Sequence, residues 1–374
     1  MKILHVVRPV SGGIKRHVKT LTNTLPEYEI KPIICGPYKF FKKEDFSCHY
    51  NLSINDGLSF GTDLKNIFDL RKIITKTQPD LIHAHGYKAT LLTDSAVRFR
   101  KIPWVSTLHN FQTWGRNAKI TQVGFNYLTR NVLNRARKIF CVSDALKHEL
   151  INCGLNESKA KVLYNGIEFN NYHYPLHKSQ TIIENDKNYV ACVARLAPDK
   201  GVKNFLMTVK YLLNNYQSFV DWNNLHFIIV GDGPDRKKYE QFAWDIKISP
   251  YVTFLGYRND VPEILKSSKA LCIPSKYEGL SITAIESMAS LCPVIATNAG
   301  GLKEVVLDGS TGLIASTDDP KDMGNKLVLL LKSKKLRRKL IFKAYKRALD
   351  KFSDKKMVRE TVNFYKEVGG KNVL

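Results

Sequence analysis

The chain has 374 residues, 44% hydrophobic and 25% charged, enough for two ordinary domains with separate cores and close to soluble globular averages. No stretch approaches the roughly 18 uninterrupted apolar residues of a membrane-spanning helix. The start MKILHVVRPVSGG has no small-residue cleavage site after its apolar run, so it is not a signal peptide and a cytoplasmic protein is expected. A net charge of +24 attracts polyanions, but no recognition motif accompanies it, so nucleic acid is not expected as a partner.

Short apolar runs alternate with stretches of helical period along the whole chain. Residues 2–8 (KILHVVR), 80–85 (DLIHAH), 104–109 (WVSTLH) and 138–143 (KIFCVS) read as strands, and 14–25, 62–77, 87–100 and 117–137 as helices. Strands without polar alternation are buried on both faces, the mark of a parallel sheet covered by helices. A second series follows at 188–195, 225–231, 251–256, 270–275 and 293–298, again with helices between. The polar, aperiodic stretch near 170–187 reads as the linker. The predicted fold is therefore α/β, two Rossmann-like doubly wound parallel-sheet domains, 1–177 and 178–354, facing a central cleft. Ligands in such sheets bind outside the carboxyl ends of the strands. The helix near 355–368 either stays with the second domain or crosses back to the first.

Cysteines stand at 35, 48, 141, 153, 192, 272 and 292. An odd number with no CxxC pair is neither a disulfide framework nor a zinc site. His83 and His85 fall on one strand face. With His109 they raise the question of a metal, but no third ligand is evident beside the pair, so no metal and no cofactor are expected. Basic clusters at 98–101, 130–138 and 332–347 are either solvated helix faces or a foot on an anionic membrane, where each basic residue adds about 1 kcal/mol.

Four places carry candidate chemistry. Gly12 and Gly13 in SGGI, between the first strand and a helix, let backbone N–H groups reach a phosphate, or form a plain turn. The segment is not a GxGxxG fingerprint, so nicotinamide binding is not indicated. His109 ends a strand, where catalytic side chains sit. In ARLAPDKG, Arg195 and Lys200 gather at a helix start, suited to a diphosphate or simply a surface pair. In EGLSITAIESMA, Glu278 lies in a loop and Glu286 about two turns into the following helix, an acid within an apolar stretch. Gly279, Leu280 and Ser281 open that helix. The two carboxylates are either a glycosidase pair or separate grips on a ribose and on sugar hydroxyls.

Together these segments resemble the retaining glycosyltransferases of family 4 (glycosyltransferase group 1), which have the GT-B fold. The resemblance rests on ARLAPDKG, VGDGP, FLGYRNDVP, PSKYEGLSITAIESMA and PVIATNAGGLKEVVLDGSTGLI, with SGGIKRHV, PDLIHAHG, TLH and NGIE in the first half. It implies a UDP- or GDP-sugar donor on the second domain and an acceptor on the first. Arg195 and Lys200 would neutralise the departing diphosphate in place of a metal, helped by Gly12, Gly13 and the N–H groups of Leu280 and Ser281. Glu286 would hold the ribose, and Tyr257 and Arg258 would border the base. Glu278 would touch the transferred sugar, and His109 would sit beside the reacting bond. Leu280 and Ser281 stand where the family usually has Phe and Gly, which alters the shape beside the sugar. A lipid-linked or surface-polysaccharide acceptor and a peripheral membrane contact complete the expectation. A nucleotide-sugar 2-epimerase of the same fold and an inactive nucleotide-sugar-binding protein are the alternatives.

Overall fold

In a computed structural model, the structure describes residues 1–8, 13–38, 48–55, 59–110, 124, 126–127, 129–173, 188–217 and 224–369. The chain divides into two compact units, Met1–Gly166 with Asp354–Leu374, and Ile167–Ser353.

The first unit holds β1 (Lys2–Val7), β2 (Lys31–Gly36), β3 (His49–Asn51), β4 (Leu81–His85), β5 (Trp104–Leu108), β6 (Lys138–Cys141) and β7 (Ala160–Val162). They form one sheet in the order β3-β2-β1-β4-β5-β6-β7, every pair parallel. Burial on both faces explains the uninterrupted apolar strands: all residues of β4 and β5 are buried. The helix Asp354–Gly369 belongs here. Its Met357, Val358, Val362 and Tyr365 share a core with Ile3, Leu21, Val105 and Phe140.

The second unit holds β8 (Asn188–Val193), β9 (Leu225–Val230), β10 (Val252–Gly256), β11 (Ser268–Ile273), β12 (Val294–Thr297) and β13 (Leu313–Ala315). These are likewise all parallel, in the order β10-β9-β8-β11-β12-β13. Phe205 and Phe227 meet edge to face, ring centroids 6.0 Å apart, within its core. In each sheet the chain runs to one side and then crosses back, so the switch points lie between β1 and β4 and between β8 and β11.

The strands β2, β3, β7 and β13 escaped the sequence reading. Three of them have only three residues, too short for a period, and β2 carries Pro32 at its second position. Of the helix expected at 117–137, residues 117–123, 125 and 128 lie outside the described residues; 124, 126–127 and 129–131 are helical, and the short turn Leu133–Arg135 follows. The linker reading at 170–187 is mostly outside them too, and its start, Asn170–His173, is a helical turn. All seven cysteines are free, six of them buried. Burial pushes the thiols of Cys192 and Cys292 up to about 12, so they act as small apolar residues.

Candidate active site

In the second unit the loops after β8 and β11 meet at the switch point. Gly201 makes this approach feasible. Its φ is +66°, and a Cβ there would lie 1.9 Å from the Pro274 carbonyl oxygen. The loops are tied by the Lys276 N–H donating to the Asp199 carbonyl at 2.9 Å. The β8 loop is also zipped to the one after β9: Leu196 N–H donates to Asp232 O at 3.0 Å and Asp235 N–H to Leu196 O at 3.1 Å. That pairing is the role of the GDGPD glycines, since a Cβ on Gly231 would stand 2.0 Å from the Ala194 carbonyl oxygen.

This scaffold brings Lys200 and Glu278 together. The Lys200 ammonium donates to Glu278 Oε2 at 2.8 Å, both side chains largely buried. Burial works to lower the Lys200 pKa, but the charge and hydrogen bond of Glu278, with Asp199, outweigh it and raise the pKa. Lys200 is therefore a fixed cation at neutral pH. Ser275 Oγ donates to the same Glu278 oxygen at 3.2 Å. Arg195 is more open, its side chain 62% exposed, with Nη2 3.4 Å from Asp199 Oδ1. Two cations and two carboxylates thus nearly balance locally, and backbone N–H groups lie nearby.

Those groups belong to the helix Ile282–Ala289, whose N-cap is Ser281, with Oγ accepting from Ala284 N–H at 3.3 Å. The first-turn N–H groups have no intrahelical carbonyl, and the helix dipole adds positive potential there. Leu280 is buried. Glu286 lies five residues past the cap, about 1.4 turns rather than two; the helix begins later than its apolar pattern suggested. Glu286 is only 5% exposed, and Oε1 accepts from the Tyr172 hydroxyl at 3.1 Å. The aperiodic stretch around Tyr172 carried no signal for this partner. A second unforeseen support is Gly300, where a Cβ would lie 2.2 Å from the Glu278 carbonyl oxygen, while Gly301 N–H donates to that oxygen at 3.0 Å.

After β10 the chain turns at Gly256, φ +68°. Tyr257 is 68% exposed. Arg258 is clamped by Asp260, with Nε to Oδ1 at 2.8 Å and Nη2 to Oδ2 at 2.5 Å. Its guanidinium is therefore turned to a neighbouring carboxylate.

In the first unit Gly13 opens the helix Gly13–Thr24, and Gly12 lies outside the described residues. His109, just after β5, is buried with no partner on either ring nitrogen. Burial, then His17 and Arg8, holds its pKa well below the usual imidazole value, so it is neutral at pH 7. It does not stand alone: His5, His17, His83 and His85 surround it or one another, all buried. The expectation that the His83–His85 pair lacks a third ligand is corrected here. β1 pairs with β4 so that His5 sits opposite His83, and the helix after β1 brings His17 over them, distances that spacing within one strand does not reveal.

The basic clusters differ in use. In the run 332–347, Arg337 donates to Leu330 and Leu331 carbonyls and Arg347 to those of Glu304 and Val305; both close helix ends. Arg135 grips Asp94 with two bonds, at 2.7 and 2.5 Å. Arg98, Phe99, Arg100 and Lys101 are exposed.

Comparison with known proteins matches both halves. The family description Glycosyltransferase Family 4 fits residues 11–171, and Glycosyl transferases group 1 fits 175–347. An uncharacterised glycosyltransferase of Methanocaldococcus jannaschii is 30% identical, covering 98% of this chain and 99% of its own. A UDP-Gal:alpha-D-GlcNAc-diphosphoundecaprenol alpha-1,3-galactosyltransferase of Escherichia coli is 26% identical, covering 95% and 96%. Among solved structures, Anabaena HepE in complex with UDP and glucose superposes with a TM-score of 0.81 at 20% identity, over 97% of this chain and 99% of that one. The paired parallel sheets, the loops at their switch points and these likenesses lead to one conclusion: the chain belongs to the group 1, family 4 glycosyltransferases and has their GT-B fold.

Proposed function

We propose that this glycosyltransferase takes a sugar from a UDP- or GDP-sugar and transfers it, with retention, to a lipid-linked glycan used for surface polysaccharide, without a divalent cation on the diphosphate. The observation that carries this is the Lys200–Glu278 pair, 2.8 Å apart, beside a capped helix start and the buried Glu286. Two relatives support the substrate class. The Escherichia coli protein is named for a UDP-Gal donor and a diphosphoundecaprenol-linked acceptor, and HepE is a complex with UDP and glucose.

As the bond from anomeric carbon to phosphate oxygen lengthens, negative charge builds on the diphosphate. Lys200, Arg195 and the N–H groups at Leu280 and Ser281 meet that charge in place, so little reorganisation is needed when it appears. Glu286, oriented by Tyr172, accepts hydrogen bonds from the ribose diol. Glu278 accepts from sugar hydroxyls, its position set by Lys200, Ser275 and the Gly300–Gly301 backbone. Tyr257 borders the base. The acceptor hydroxyl attacks from the face the diphosphate leaves, and its proton passes to the departing phosphate oxygen. His109 and the glycine pair Gly12 and Gly13 act from the first unit, the former as a neutral hydrogen-bonding group near the transferred sugar.

Membrane contact belongs to this reading. Phe60, Leu64 and Phe68 recur every fourth residue along the helix Phe60–Thr77, all exposed. The basic run 98–101 docks beside the end of that helix, Arg100 donating to Thr75 Oγ1 at 3.0 Å. An apolar stripe with flanking bases suits an anionic bilayer carrying the acceptor. Vesicles with anionic lipid should retain the protein at low salt and release it as salt rises; binding that ignores salt and lipid charge would count against the contact.

The test of the main reading is a donor panel with and without a polyprenyl-diphosphate glycan, scored for transfer, hydrolysis and thermal shift. UDP or GDP should raise the melting temperature, and turnover should need the second substrate, which a 2-epimerase would not. Absence of a shift with every nucleoside diphosphate would remove the donor assignment.

A further inference from the structure

Five histidines meet at the switch point of the first sheet, three from β1 and β4, one from the helix after β1 and one from just past the end of β5. His5 of β1 and His83 of β4 are register partners, and His85 lies two residues along on the same face. The helix Gly13–Thr24 adds His17, and the end of β5 adds His109. All five are at most 6% exposed.

Buried polar atoms in folded proteins nearly always find partners, and part of this cluster obeys that rule. His83 is satisfied on both sides, Nδ1 2.5 Å from the Tyr365 hydroxyl and Nε2 2.7 Å from Thr107 Oγ1. His5 Nδ1 and His85 Nε2 are 3.2 Å apart. The remainder does not: among the described residues, His5 Nε2, His85 Nδ1 and both nitrogens of His17 and His109 are buried without a hydrogen-bond partner. His17 and His109 meet edge to face at 5.0 Å between centroids. One nitrogen from each of His17, His85 and His109 falls within 4.8 Å of the others.

Three buried imidazoles thus bring ring nitrogens that lack hydrogen-bond partners close together, and imidazole nitrogen suits zinc-type ions. We propose that His17, His85 and His109 bind a divalent transition ion of the zinc class, with a fourth position left for water or hydroxide. Tetrahedral zinc holds nitrogens at about 2.0–2.1 Å, so modest side-chain rotation closes the 4.8 Å triad. His85 coordinates through Nδ1 and donates its Nε2–H to His5 Nδ1, the outer hydrogen bond that metal-bound histidines ordinarily make. The second triad, His5, His83 and His85, is a poorer site because both His83 nitrogens are held by hydroxyls and His5 Nδ1 and His85 Nε2 hold each other.

The ion is separate from the diphosphate chemistry assigned to the second unit; it fixes His109 in place and leaves that ring's other nitrogen protonated, as a donor. Its test therefore needs no turnover. Untagged full-length protein is expressed with cobalt, passed through gel filtration and analysed for bound metal. Stoichiometric cobalt with the visible bands of a four-coordinate, nitrogen-ligated ion is expected. His17→Ala and His109→Gln, each checked for folding by circular dichroism, should lose those bands and at least about tenfold in cobalt affinity. His148→Ala removes an exposed histidine paired with Asp144 and should change neither. Folded wild-type protein that emerges without cobalt, bands that survive His17→Ala, or bands lost in His148→Ala would each overturn the site. UDP binding in the same preparations reports on the transferase reading independently.

Discussion

The two switch points share a topology and oppose each other in chemistry. Between β8 and β11 the side chains are charged, paired and partly open: Lys200 on Glu278, Arg195 near Asp199. Between β1 and β4 they are neutral and buried, and among the described residues both nitrogens of His17 and His109 and Nδ1 of His85 lack hydrogen-bond partners. One sheet design supplies the location in both cases. What differs is the ligand each location is prepared for, a polyanion whose charge changes during reaction in one and a lone-pair acceptor in the other.

Lys200→Ala strikes the charged site hardest. Losing a preorganised cation where transition-state charge develops costs about a hundred- to a thousand-fold in kcat/KM. It also leaves Glu278 buried without its counter-ion, so nucleoside diphosphate affinity should fall with activity. His109→Ala sharpens the contrast, because it should lower transfer while leaving UDP or GDP affinity unchanged. Equal loss of nucleotide affinity in both variants would erase the distinction between the two locations.

Gly201→Ala attacks the scaffold instead. Both the left-handed φ and the 1.9 Å approach to Pro274 O forbid a Cβ, so about 3 kcal/mol or more of stability should be lost. Chemical denaturation of the full chain reads this, and an unchanged midpoint would mean the loops are not held by that contact. Glu286→Gln is milder. It keeps the shape but removes the charge that strengthens a hydrogen bond to the ribose, about 1.5–3 kcal/mol for charged pairs, seen as weaker UDP or GDP binding by calorimetry.

How much of this the sequence disclosed follows from where the signals lie. Apolar runs such as YVACV and LHFIIV announce buried strands because nothing polar interrupts them, and the loop–helix EGLSITAIESMA announces itself by an acid among apolar neighbours. Contacts between distant segments leave no local trace. His5 and His17 were ordinary strand and helix residues until β1 was laid against β4. The close approach of Gly300 to the Glu278 carbonyl is likewise between segments more than twenty residues apart. Nor did the segment after Gly256 disclose that Asp260, only two residues on, holds the Arg258 guanidinium.

Tyr172 is the smallest of these effects and the most diagnostic. Its hydroxyl touches no assigned ligand position; it donates to Glu286 Oε1 at 3.1 Å and so acts by holding a carboxylate in one rotamer. Tyr172→Phe should weaken nucleotide binding by about 1 kcal/mol, roughly fivefold, with kcat nearly unchanged. The decisive readout is the coupling. If Tyr172 works through Glu286, the loss should shrink toward nothing in a Glu286→Gln background, since contacting residues do not add. Full additivity would instead mean that the hydroxyl packs against the fold and has no part in gripping the nucleotide.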